Sequence, residues 1–256
     1  MITSIFHLLI LVLIPVFGFC YEKATPMPIP SDLMYEGKSI PEDVLKNFFG
    51  LSIIGYFTPD LELDLPSCFT KQIPSQENLD DEEFTKVEVS FDWEYFGTLY
   101  QHFHAIRIYR WEAGCIGKFT GILLLKREGN KLRITDIIFG GDRHSSCIHE
   151  GSCKIKGNKI HYSQGATTGS LVDQALQQFP DLDPFYNKSS KNGICYGEAC
   201  ATGYFEYEAD INPEGEVKEI KLINFVACEG DDEMSEAYQK GGLKAVALKL
   251  LEDKED

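Results

Sequence analysis

The chain has 256 residues and a formal net charge of −16. Without a leader of some 20 residues it keeps about 236, enough to bury close to three quarters of its unfolded surface, so it needs no cysteine framework to hold a core. The negative field excludes nucleic acid and anionic membrane surfaces as partners and favours a cationic protein or peptide, although solubility alone also accounts for it.

Met1–Tyr21 carries no formally charged side chain, and Ile5–Phe19 is almost wholly Leu, Ile, Val and Phe. The run is shorter than the roughly 20 apolar residues that span a bilayer and ends at Pro15, as the hydrophobic region of a secretory signal does. Residues 1–20 are therefore expected to be a cleaved signal peptide, with the protein secreted or periplasmic and no stable membrane insertion after cleavage. A retained N-terminal anchor, suggested by the missing Lys or Arg at the start, is the rival. Residues 21–38, with Pro26, Pro28 and Pro30, read as an extended leader, and residues 39–256 as a single domain.

Ser39-Ile40-Pro41-Glu42 resembles a capping box ahead of Val44, Leu45, Phe48 and Phe49, which share one helical face before Gly50. Pro66–Glu83, with its acidic run Asp80–Glu83, reads as a surface connection. From Phe84 the period becomes two: Val87, Val89, Phe91 and Trp93 alternate with polar residues, and Leu99–Trp111 continues the pattern. Lys118–Arg127 and Leu132–Phe139 flank Gly129-Asn130, a hairpin turn, and Gly157-Asn158 repeats it 28 residues on, predicting two successive hairpins of a meander. Leu171, Val172, Ala175 and Leu176 lie on one helical face between Thr168, a cap, and Pro180. Strands resume at 201–209 and 217–227, and a final helix follows Asp231-Asp232-Glu233, which Gly241-Gly242 splits in two. The expected class is α+β: a mostly antiparallel meander, as a twisted sheet or open barrel, with about three helices packed on it.

Export places the cysteines where disulfides persist. The pairs Cys147/Cys153 and Cys195/Cys200 each enclose a short Gly-bearing loop, Cys115 with Cys228 would be a long-range staple, and Cys68 is left over. His102 and His104, two apart on a strand, face one side and could share a metal with Asp142, His144 or His149; Ile106 and Ile108 have the same parity, and a plain strand end is the competing reading. Gly140–Cys147 is the densest polar stretch, and Asp142, Arg143 and His144 are its ligand-binding candidates, Arg143 through its planar fork. Cys147 with His144 or His149, or Ser145 or Ser146 with His144 and Asp142, could be drawn as a nucleophile and base, but no nucleophile elbow or cysteine-protease signature accompanies them. No phosphate loop, dinucleotide fingerprint, zinc helix or haem pair occurs, so no cofactor is implied. The expectation is an exported, non-enzymatic binding or interaction domain. The alternative is a hydrolase, metal-assisted or using the Asp142–Cys147 loop.

Overall fold

A computed structural model describes residues 27–41, 44, 48, 62–68, 89–112, 118–141, 147–183 and 201–252. The chain is α+β, with two main antiparallel sheets and no closed barrel among the described residues. The first sheet has the order β3-β7-β6-β5-β4, from β3 (Glu62–Asp64), β4 (Val89–Leu99), β5 (Phe103–Glu112), β6 (Lys118–Glu128) and β7 (Lys131–Phe139). The second has the order β11-β10-β9-β8, from β8 (Lys154–Lys156), β9 (Lys159–Thr167), β10 (Ala201–Ile211) and β11 (Val217–Ala227). A small hairpin, β1 (Met34–Tyr35) with β2 (Lys38–Ser39), precedes them. The helices whose bounds fall within the described residues are α1 (Leu65–Cys68), α2 (Thr168–Gln178) and α3 (Asp232–Glu252). No helix among the described residues is long and apolar enough to cross a membrane.

The two glycine–asparagine turns fold as hairpins, with Glu128 opposite Lys131 and Lys156 opposite Lys159. Only the glycine of each uses the left-handed region, at φ 60° for Gly129 and 66° for Gly157. They are not one meander. After β7 the chain leaves the first sheet, and the second hairpin begins another.

β5 and β6 are covered on both faces, which explains why Gly121–Leu125 is apolar without alternation. On one face Ile106, Ile108, Leu123, Leu125, Leu132 and Ile134 meet Leu33, Ile40, Val44 and Phe48. Val44 and Phe48, expected on one helical face, are helical and buried there. From Ile29 on, the segment expected as an extended leader also packs on this sheet through Leu33 and Tyr35. On the opposite face Phe103, Ala105, Ile122 and Leu124 meet Ile160, Tyr162, Ala209 and Ile211 of the second sheet. Each fully buried Leu or Ile contributes roughly 1.5–3 kcal/mol. The inward row of β10 then runs on from Ala209 to Phe205, where α2 and α3 cover it through Leu171, Ala175, Met234, Val246 and Ala247.

Several local expectations shift. Leu99 closes β4, and Tyr100–His102 form the turn to β5, with φ 48° at Tyr100 and 67° at Gln101. The cap of α2 is Thr167, which exchanges hydrogen bonds with Ser170, so Thr168 is the first helical residue instead. Asp231 Oδ1 caps α3 by accepting the Met234 N–H at 3.1 Å, and the helix breaks at Gly241 and Gly242 (φ 63°).

The sheets are locked together at the β10–β11 turn. A Cβ on Gly215, at φ 81°, would lie 2.2 Å from the Phe103 ring. The Gly215 carbonyl accepts the Thr135 hydroxyl at 2.9 Å, and Asp136 Oδ2 accepts the Val217 N–H at 2.6 Å.

Candidate functional site

Two polar clusters interrupt this apolar interior. The first lies on the seam between the sheets, at the base of the Gly140–Cys147 stretch. Alternation along β5 turns Phe103, Ala105 and Arg107 toward the second sheet, so a guanidinium sits where the pattern asks for an apolar side chain. Arg107 is buried; its Nε donates to the Ile148 carbonyl at 3.3 Å, and its Nη1 is 3.7 Å from Glu94 Oε2. The same carboxylate oxygen accepts the Gly151 N–H at 3.4 Å. One charge pair from β4 and β5 thus holds the turn that leads into the second sheet.

His149 stands beside this pair. Its Nδ1 is 3.3 Å from the Ser163 hydroxyl, and its ring meets Tyr204 edge-on at 5.7 Å. Burial, reinforced by the Arg107 cation, holds its pKa below the usual histidine value. Ser152 Oγ donates to the His149 carbonyl at 2.7 Å and accepts the Ser163 N–H at 3.2 Å. The neighbouring Cys153 thiol is pushed up to about 12 by burial. A neutral imidazole with hydroxyls and a cation at hand can hold a polar or anionic group, whereas Cys153 is no nucleophile near neutral pH.

The second cluster lies on the other face of the first sheet, beneath the N-terminal segment. A bulge between Tyr95 and Gly97 inserts Phe96, which turns inward to the opposite core. Tyr95 and Thr98, three apart, therefore share a face, and Thr98 stands directly opposite His104. The result is a chain of hydrogen bonds: Tyr95 hydroxyl to Thr98 Oγ1 at 2.7 Å, Thr98 Oγ1 to His104 Nδ1 at 3.2 Å, and His104 Nε2 to Asp32 Oδ2 at 3.3 Å. His104 is 2% exposed. Burial lowers its pKa against the opposing pull of Asp32. Arg127 Nη1 donates to the carbonyls of Asp32 (3.2 Å) and Met34 (2.9 Å), fixing the strand of chain that carries the carboxylate.

The metal candidates separate. His104 shares the parity of Ile106 and Ile108 and is buried, whereas His102 belongs to the exposed turn and packs against Phe103 at 4.3 Å. Among the described residues no three His, Cys, Asp or Glu side chains gather as a metal site. Asp142, Arg143 and His144 lie outside the described residues, as do Cys115, Cys195 and Cys200; the two feet of their loop, Gly141 and Cys147, are described. Cys153 carries a free thiol facing the inter-sheet core, so its expected bridge to Cys147 is not formed. Cys228 is exposed just past β11.

Sequence reasoning missed Glu94, Arg107, Ser163, Tyr95, Thr98 and Asp32. Arg107 had a signal, a charged residue at an inward position of a strand. Gly97 was the only trace of the bulge. No protein-family model matches the chain, and no curated protein and no solved structure resembles it at a significant level. Its function has to be read from these side chains.

Proposed function

We propose that the chain is an exported, non-enzymatic binding domain for a cationic protein or peptide. The observation that carries this reading is the acidic stretch that runs from β10 through the β10–β11 hairpin to the start of α3. Between residues 206 and 236 eleven carboxylates stand against Lys218 and Lys221. Glu206, Glu208 and Asp210 alternate with the inward Phe205 and Ala209, so they line the outward face of β10, where Lys159 of β9 pairs with Glu208, and Glu214 and Glu216 prolong the row at the exposed hairpin tip. Such a row steers and holds a basic segment, with a strong dependence on salt.

The test is fluorescence anisotropy with a labelled lysine- and arginine-rich peptide. Saturable binding at low salt, weakened about tenfold when Asp210, Glu214 and Glu216 are neutralised together, supports the proposal. Absence of binding at low salt, or the same loss on neutralising the distant Glu62 and Glu128, overturns it. Export is tested separately by N-terminal sequencing of the mature protein, which should begin near residue 20 and not at Met1.

A second reading, hydrolysis, is favoured by one feature: Asp32, His104 and Thr98 form a carboxylate–imidazole–hydroxyl series. A panel of activated esters, with Thr98→Val as control, separates the two readings. Turnover that is lost in this variant would support the hydrolase.

A further inference from the structure

Among the described residues β11 is an edge strand whose only ladder partner is β10. Such an edge presents a row of backbone donors and acceptors to any strand that can approach it. Its two ends are anchored, Val217 to the Asp136 carboxylate and Cys228 to the Thr202 carbonyl of β10. Between them the register with β10 skips Lys218 and Ile223, leaving a regular stretch, Glu219–Leu222, opposite Asp210, Ala209, Glu208 and Tyr207. Ile220 and Ile223 are 45% and 54% exposed, two of only four large hydrophobic side chains so exposed among the described residues. Glu219 and Lys221 lie on the outward face, paired with each other at 3.0 Å and both about half exposed.

Lysines on an edge usually guard it against pairing. Here the guard is self-complementary. If a second copy adds its own β11 antiparallel, about a two-fold axis perpendicular to the sheet, residues opposite one another must share a face. The axis then has to pass through a residue position. Centred on Glu219 or Lys221, it sets like charges face to face. Centred on Leu222, it sets Lys221 against Ile223 and pairs no charges. Centred on Ile220, it places each Glu219 opposite Lys221 of the second copy and Ile220 against Ile220, with Lys218 against Leu222 at the margin. Of these registers it alone sets opposite charges face to face.

We propose that two copies of this chain associate through β11 in the Ile220-centred register, joining their four-stranded sheets into one of eight strands. This goes beyond the binding reading, which concerns the face of the sheet and not its edge.

The experiment is sedimentation equilibrium on the purified mature chain up to about 100 μM, where a dimer with a Kd near ~10 μM is mostly formed. The parent is expected to be dimeric. Glu219→Lys and Lys221→Glu each set like charges opposite across the axis and should weaken the dimer about tenfold. The double reversal, Glu219→Lys with Lys221→Glu, exchanges the partners and should restore it. Circular dichroism of each variant confirms the fold, which these exposed positions leave intact. A monomeric parent, single variants that stay as dimeric as the parent, or a double reversal that stays monomeric would each overturn the proposal.

Discussion

Thr120 offers the sharpest test of how the seam is built. Its side chain is fully buried; the hydroxyl donates to the Gly140 carbonyl at 2.8 Å and accepts the Ile148 N–H at 2.9 Å. One oxygen therefore ties both feet of the Gly140–Cys147 stretch to β6. Gly140 leaves no room to rearrange, since a Cβ there would lie 2.3 Å from Ile148 Cγ1 and 2.7 Å from the Thr120 hydroxyl. Thr120→Val preserves the volume but strands two buried backbone groups, each costing about 1–3 kcal/mol, so a loss of roughly 2–6 kcal/mol is expected. Thr120→Ser keeps the hydroxyl and removes one methyl, for about 1 kcal/mol. Against a total stability of about 5–15 kcal/mol the difference is large. Urea unfolding followed by tryptophan fluorescence measures both variants against the parent, and in a chain of this size each kcal/mol moves Tm by about 2–4 °C. A valine variant within about 0.5 kcal/mol of the parent, or a serine variant less stable than the valine one, would refute the reasoning.

Three further outcomes are expected. His104 and His149 both have pKa values held below the usual histidine value of about 6.5 in the folded state, by burial first. The unfolded chain therefore takes up protons first as pH falls through 6.5, and stability present above that value is lost by about 1.4 kcal/mol per pH unit for each histidine until the folded form is protonated too. Urea midpoints between pH 7.5 and 5 should show this slope, and His149→Gln should flatten it. Gln101, held at φ 67°, is expected to gain roughly 0.5–1 kcal/mol as Gln101→Gly, read as a raised midpoint. Cys153, buried with a pKa pushed up to about 12, should resist iodoacetamide in the native protein and react once denatured without reductant. Failure to react in denaturant would mean that it is bridged.

Local chemistry was legible in the sequence wherever it is decided by neighbours along the chain. Gly129-Asn130 and Gly157-Asn158 specify their hairpins, and Gly241-Gly242 breaks the last helix, because backbone freedom at one or two residues settles each. Assignment of those hairpins to two sheets was not legible. It depends on Thr120 meeting Ile148, a contact across more than twenty residues that leaves no periodic trace. The polar chain at His104 was half legible. Its parity with Ile106 was correct, but its partners come from a bulge that reverses the facing of Thr98 and from Asp32, in a segment that read as a leader. His102 falls in the exposed turn and off the buried face of His104 because Tyr100 and Gln101 adopt positive φ, which neither residue type advertises.

The clasp at Gly215 has a practical consequence for anyone labelling this protein. The Asn212–Gly215 turn looks like an inviting place for an epitope, since Pro213 and Glu214 are exposed. Yet the glycine behind them rests on Phe103, and its carbonyl holds Thr135. A peptide spliced there would pry the two layers apart. Glu229-Gly230, exposed and with nothing within 4 Å of a Cβ built on Gly230, is the site that should carry foreign sequence without unfastening the molecule.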